Sequence, residues 1–281
     1  MNPSQPVPIG GLTDHLGAVM QYRSGHPDAE HILDVFERIS DRPYRTNVLI
    51  HGEAGTGKEG LARALHDVMN PGRGAPFIKL PSGGRDLTTL SAHLFGTTVH
   101  PGAIARAEGG TLFLDEVGTI PREIQARLAP VLRGRYRPND AEEPRRCDVC
   151  VFGATDLELS GRVADGRFRH DLFFRLSRIE VRIPPLRHRI SDLRLAAVWV
   201  GNRVLRRMGE TRLLVLEGEQ EPGDIVLEAA ALALLEEQPW DGNFRALDRA
   251  LERALMLWGD GDRVRRSDLS RALELDGPAA G

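Results

Sequence analysis

The residues with most chemistry to offer lie together in Gly52-Glu53-Ala54-Gly55-Thr56-Gly57-Lys58-Glu59. The apolar run Val48-Leu49-Ile50 leads into this stretch, and helix-like sequence, Gly60-Leu61-Ala62-Arg63-Ala64-Leu65-His66, follows it. A strand that breaks into a glycine-rich loop at a helix N-terminus makes a phosphate cradle. The glycines let backbone N–H groups converge on an anion, the helix dipole favours negative charge, and Lys58 adds a point charge for the outer phosphates. Gly52 to Lys58 fits the spacing G-x-x-x-x-G-K, but Glu59 stands where a serine or threonine hydroxyl would bind magnesium.

A second group lies downstream. Thr111-Leu112-Phe113-Leu114-Asp115-Glu116 is an apolar strand ending in two carboxylates. At the C-terminal end of a parallel strand, Asp115 would stand beside the phosphate loop and hold magnesium, directly or through water. Glu116 would polarise the attacking water. An acidic turn after a strand is commonplace alone; the glycine-lysine loop upstream is what makes the pair point to nucleotide chemistry. Phosphoryl transfer also needs positive charge on the transition state, often from a neighbouring subunit's arginine. Arg169 and Arg175, in Gly166-Arg167-Phe168-Arg169-His170-Asp171-Leu172-Phe173-Phe174-Arg175-Leu176, are candidates that spacing alone does not separate from ordinary surface arginines.

The elements that must position these groups alternate. Apolar runs at Val48–Ile50, Phe77–Leu80, Thr111–Leu114, Val149–Ala154 and Ile179–Ile183 are interleaved with helical patterns at Gly60–Met69, Asp86–Leu94, Arg122–Leu132 and Phe168–Leu176, with a helix at Ala29–Ile39 before them. Short buried runs alternating with helices predict an α/β fold with a parallel sheet covered on both faces. After Pro184-Pro185 the patterns at Leu193–Met208, Ile225–Glu237, Asn243–Leu257 and Ser267–Leu275 are helical, with Arg212–Leu216 as a short extended insertion. The expected organisation is an N-terminal extension (1–25), an α/β nucleotide-binding domain (26–188) and a smaller α-helical domain (189–281).

The 37 basic and 40 acidic residues leave a formal charge of −3, so no global field draws the chain to nucleic acid. Arg187-His188-Arg189 and Arg263-Val264-Arg265-Arg266 are read as solvated surface. Cys147 and Cys150 form a lone C-x-x-C with no second ligand pair; the reading is a buried strand start, not a zinc or redox site. The polar, proline-bearing start Met1-Asn2-Pro3-Ser4-Gln5-Pro6 is unlike a signal peptide. No apolar run approaches the roughly 20 residues of a membrane span, so a cytoplasmic location without membrane contact is expected.

Over residues 28–258 these motifs, in this order, resemble the AAA+ ATPase domain of sigma-54-dependent transcription activators, the bacterial enhancer-binding proteins. Gly52–Glu59 resembles that family's Walker A, which also carries glutamate after the lysine, and Gly109–Glu116 is similar to its Walker B. Phe168–Leu176 resembles its arginine-finger segment, which makes Arg169 and Arg175 trans-acting. Pro184-Pro185-Leu186-Arg187-His188-Arg189 resembles the joint to its lid, and Trp240-Asp241-Gly242-Asn243-Phe244-Arg245 its sensor II, with Arg245 reaching the nucleotide. The resemblance implies ATP or ADP with Mg2+ held by Asp115, in a ring, expected to be a hexamer, with nucleotide between subunits. It also implies a role in transcription regulation. The partner would be a protein, with RNA polymerase or a sigma factor among the candidates.

Three departures stand out. The family's Gly-Ala-Phe-Thr-Gly-Ala loop, which touches sigma-54, is missing between Gly96 and His100. Pro81 replaces the asparagine that restrains the Walker B glutamate, and a proline side chain cannot hydrogen-bond. Asp156 replaces the sensor I asparagine in Gly153-Ala154-Thr155-Asp156, where a carboxylate would repel the γ-phosphate unless protonated or metal-bridged. The alternative expectation is therefore a nucleotide-gated assembly module with little turnover. Transcription control through an unrecognised sigma-54 surface or another polymerase form is a third. No helix-turn-helix is evident, so the chain is read as lacking a DNA-binding domain, either as a stand-alone ATPase or as a segment of a longer protein.

Overall fold

The structure, a computed structural model, describes residues 26–41, 44–72, 74–258 and 261–275; the expected extension 1–25 lies outside them. The described residues fall into two compact units: residues 30–53 with 58–183, and residues 26–29, 54–57 and 184–275.

In the first unit the chain runs α1 (Pro27–Asp41, in this unit from Glu30 on), β1 (Val48–His51), α2 (Lys58–Met69), β2 (Phe77–Pro81), α3 (Leu87–Phe95) and α4 (Ala103–Arg106). It continues through β3 (Thr111–Asp115), α5 (Arg122–Val131), the two-residue strands β4 (Arg135–Tyr136) and β5 (Arg145–Arg146), and β6 (Cys150–Thr155). It ends with α6 (Leu159–Ala164), α7 (His170–Leu176) and β7 (Ile179–Arg182). Five strands form one sheet in the order β2-β3-β6-β1-β7, every pair parallel. All four residues of β1 and all six of β6 are buried. That is why both read as unbroken apolar runs: a central parallel strand is covered on both faces and has no solvent side on which to alternate. Helix α2 turns Leu61, Ala62, Ala64, Leu65, Val68 and Met69 inward. Asp86 starts α3 by accepting the Thr89 N–H at 2.9 Å, as an N-cap carboxylate does.

The second unit holds α8 (Leu193–Arg207), β8 (Leu214–Leu216), β9 (Ile225–Leu227), α9 (Ala229–Glu236), α10 (Asn243–Arg253), β10 (Arg263–Val264) and α11 (Arg266–Glu274). Its core gathers Leu193, Val200, Val204, Leu235, Leu247 and Leu251 with the strand side chains Leu214, Leu227 and Val264. The expected helix Ile225–Glu237 is here two elements. Ile225-Val226-Leu227 forms the middle strand of a small parallel sheet, β10-β9-β8, and the helix begins only after Glu228, whose backbone is extended. Three consecutive buried apolar residues suit a central strand, whereas an amphipathic helix would expose one of them.

Arg189 is a second correction. It is not solvated surface but 1% exposed, with its guanidinium 5.0 Å from the Phe244 ring centroid. Arg187, Arg263, Arg265 and Arg266 are exposed as read. Cys150 opens β6, and both thiols are buried and free. Burial pushes the Cys147 thiol up to about 11 and raises Cys150 as well, so neither is a ready thiolate.

Candidate nucleotide-binding site

The loop after β1 is held at its start, where the Gly52 N–H donates to Thr155 O at the end of β6 (3.1 Å). Lys58 is the first residue of α2, and its Nζ donates to the Gly52 and Glu53 carbonyls at 2.6 and 2.9 Å. The ammonium thus sits inside the loop at a helix N-terminus, where partial positive charge from unpaired N–H groups adds to its own. Ala54 is exposed and Thr56 buried.

The loop tip, residues 54–57, belongs to the second unit with the Trp240–Arg245 turn. Phe244 N–H donates to Gly55 O (3.0 Å), and Asn243 Nδ2 donates to Ala54 O (3.1 Å) while its Oδ1 accepts the Leu186 N–H (2.7 Å). Gly55 has φ +79°, and a Cβ there would lie 2.3 Å from Gly242 O, so both conformation and space require glycine. Arg245 follows in the first turn of α10, and its Cβ lies 3.2 Å from where a Gly55 Cβ would be.

Asp115 ends β3 and Asp156 follows β6, so both lie at the same C-terminal sheet edge as the loop. Glu59 is tied to this edge through a residue not singled out from sequence. Lys79 of β2 contacts Glu59 at 2.5 Å and Asp115 at 3.9 Å, and Arg63 holds the other Glu59 oxygen at 3.0 Å. Burial raises the Glu59 carboxyl, but the bonds from Lys79 and Arg63 outweigh it and hold the group below the usual carboxylate range. The residue in the hydroxyl position is thus a committed ion-pair partner. Asp115, partly exposed and balanced by a cation, is chemically suited to share a divalent ion with phosphate oxygens. Among the described residues no group of three or more His, Cys, Asp or Glu could hold a metal unaided, so phosphates would have to complete any magnesium shell.

Glu116 is exposed and left-handed at φ 62°. Its carboxylate lies against the turn after β2: a Cβ on Gly83 would fall 1.5 Å from Glu116 Oε2. Pro81 is in register with Asp115, and Ser82 gives both its N–H and its hydroxyl to the Asp115 carbonyl (2.9 and 2.5 Å). Gly83 and Lys79 were missed because neither belongs to a spaced motif. The only sequence hint was the Ser82-Gly83-Gly84 turn beside a strand paired with the acidic one.

Arg169 caps α7; its N–H donates to Oε1 of the fully buried Gln125 (2.8 Å), and its guanidinium makes two bonds to Asp171 (2.9 and 3.1 Å). Arg175 lies on the last turn of α7, where its carbonyl accepts from Asn47 Nδ2 at 3.2 Å.

A five-stranded parallel sheet with a phosphate-type loop after β1 and an acidic strand end at β3 defines the AAA+ nucleotide-binding fold. The solved structure of NtrX from Brucella abortus in complex with ATP superposes with TM-score 0.74 at 29% identity, over 92% of this chain and 56% of that one. Hsp104 in a closed state (TM-score 0.58, 17% identity, 82% of this chain and 44% of that one) shares the fold alone. The sigma-54 interaction domain model matches residues 24–182, and the chain belongs to that family of sigma-54 activator AAA+ domains. It is 38% identical over 261 residues to the acetoin catabolism regulatory protein of Cupriavidus necator, covering 86% of this chain and 36% of that protein. It is also 38% identical over 255 residues to the DNA-binding transcriptional regulator NtrC of Escherichia coli K12, covering 86% of this chain and 51% of that one. The chain thus spans between about a third and a half of these relatives' length.

Proposed function

We propose that this chain binds ATP at Gly52–Lys58 and hydrolyses it between subunits of a ring to remodel a protein partner in transcription control. One observation carries the reading: Lys58, Asp115 and Glu116 stand at the same C-terminal sheet edge, with Glu59 and Asp115 joined through Lys79. In this scheme the Lys58 ammonium turns from the Gly52 and Glu53 carbonyls to the outer phosphates, exchanging neutral acceptors for charged ones. Magnesium bound at Asp115 would offset phosphate charge. Glu116 orients the attacking water and takes its proton as the bond to the γ-phosphorus forms and the bond to the leaving oxygen breaks. Arg169 and Arg175 neutralise the transferring group on a neighbouring subunit's nucleotide, once Arg169 leaves Asp171.

Lys58→Ala should abolish ATP binding, whereas Glu116→Gln should keep binding and block turnover; unchanged affinity in Lys58→Ala would overturn the assignment. A second reading, nucleotide-gated assembly with negligible turnover, is favoured by Pro81, which gives Glu116 no hydrogen-bond donor, and by the exposed Asp156 carboxylate. Steady-state phosphate release from assembled protein separates the two, and a rate at the no-enzyme baseline would favour the second.

A further inference from the structure

Of the 37 basic residues in the chain only two, Lys58 and Lys79, are lysines. Both serve the C-terminal edge of the five-stranded sheet: Lys58 opens α2, and Lys79 lies on β2, the strand beside Asp115. Lys79 is in register with Phe113 and Pro81 with Asp115, so Lys79 shares a face of β2 with Pro81, two residues short of the edge. Its side chain covers that distance, with Nζ 2.5 Å from Glu59 Oε2 and 3.9 Å from Asp115 Oδ2. Everywhere else the chain supplies positive charge as arginine, a planar fork. At these two positions it uses a compact ammonium on a flexible stem.

Glu59 follows the phosphate-loop lysine and Asp115 ends the acidic strand, so a divalent ion arriving with phosphate would be drawn to these two carboxylates. Lys79 stands between them as a tethered cation. A divalent ion and an ammonium within about 4 Å of each other repel strongly, even at a partly screened edge. Which cation gives way is set by anchorage. Arg63, on the other Glu59 oxygen at 3.0 Å, is also seated 4.5 Å over the Phe77 ring. Lys79 has no second anchor of that kind among the described residues, and it is exposed to solvent. The lysine is the one free to move.

We propose that Lys79 is a positioning residue that keeps free metal out of the magnesium site and yields its place when metal arrives with ATP. This rests on the reading above that the chain binds ATP with magnesium. Without nucleotide, Lys79 and Arg63 already balance Glu59 and Asp115, leaving little charge to draw a divalent ion. Phosphates bring the negative charge that supports one more cation, and the ammonium then swings aside on its stem. Metal entry is thereby made conditional on nucleotide. An ion pair that served structure alone would contribute little at so exposed an edge and would leave metal affinity untouched.

The test is a Mn2+ titration of the full, nucleotide-free chain, followed by electron paramagnetic resonance. Wild type should bind weakly, and Lys79→Met should bind roughly tenfold or more tightly, as removal of one close like charge allows. Lys79→Arg keeps the charge and should stay as weak as wild type. Adding Asp115→Asn to Lys79→Met should erase the gain. A Lys79→Met affinity equal to wild type, or a gain that survives Asp115→Asn, would overturn the proposal. Having only two lysines also gives a readout on the unaltered protein, which decides the matter if Lys79→Met does not fold. On brief acetylation followed by mass spectrometry, Mg2+ with ATP should slow modification of Lys58 and speed that of Lys79. Protection of Lys58 with Lys79 slowed or unchanged would overturn the displacement. Lys58 unaffected by ATP, together with tighter Mn2+ binding in Lys79→Met, sinks the ATP reading and keeps Lys79 as the charge that excludes metal. Lys58 protected, with no effect of Lys79→Met, does the reverse.

Discussion

Glu116 adopts a left-handed backbone at φ 62°, a conformation that costs a non-glycine residue on the order of 1–3 kcal/mol and persists only where its surroundings enforce it. Its side chain rests against Gly83, whose missing Cβ leaves the space the carboxylate fills. Gly83→Ala should drive Glu116 from this seat, lowering phosphate release by roughly a hundredfold, the range general-base loss reaches, with ATP affinity unchanged. Because the clash is with one side chain, the thermal destabilisation of Gly83→Ala should largely vanish in a Glu116→Ala background. Glu59 makes a pH-dependent prediction. Its folded value lies below its unfolded one, so its contribution to stability is present above the unfolded value of about 4.3 and is lost as pH falls through the depressed native value. In Lys79→Met the Glu59 carboxyl should titrate closer to the ordinary range, read from its carbon chemical shift. Lys58, Asp115 and Glu116 stood out as candidates because phosphate chemistry demands those types at those spacings, and the fold brings them to one sheet edge. Gly83 and Lys79 were not, since their roles come from β2 lying beside β3, a strand order that no local pattern records.

Single polar side chains join the elements around the site. Gln125 of α5 is fully buried, donates to Ile120 O (2.9 Å) and Arg167 O (3.1 Å), and accepts the Arg169 N–H. Gln125→Leu leaves those buried backbone groups unmatched and should cost about 2–4 kcal/mol, at 1–3 kcal/mol per orphaned group with some relaxation, measured by urea unfolding. It should also loosen α7 and with it Arg169. Asn47 works likewise at the start of β1, accepting the Val151 N–H at 2.9 Å while donating to Arg175 O. Strands β1, β3 and β6 could be read from composition because burial on both faces leaves one residue class. The strand β9 could not, because three apolar residues before a helix satisfy either period until β8 and β10 flank them. Arg189 escaped for a similar reason: nothing in Arg187-His188-Arg189 says which arginine faces inward, and Phe244, which covers it, is distant in sequence.

For the whole molecule, the proposed chemistry divides one reaction between copies of the chain. If Arg175 acts in trans, specific activity should rise with protein concentration. Mixing inactive Lys58→Ala with inactive Arg175→Ala should then restore partial turnover, because some interfaces combine an intact loop with an intact arginine. Strictly additive, inactive mixtures would place Arg175 outside the reaction. Among the described residues no helix is long and apolar enough to cross a membrane.

The sheet order also governs how the protein comes into being. The strand that carries the phosphate loop is among the first made, yet both its neighbours, β6 and β7, lie more than a hundred residues further along the chain. Closing loops of that size before any contact rewards them makes folding slow. During synthesis Val48–His51 must therefore wait unpaired until Cys150–Thr155 has left the ribosome, and paired on one edge only until Ile179–Arg182 follows. In that interval the nascent chain is most exposed to aggregation and most dependent on chaperones.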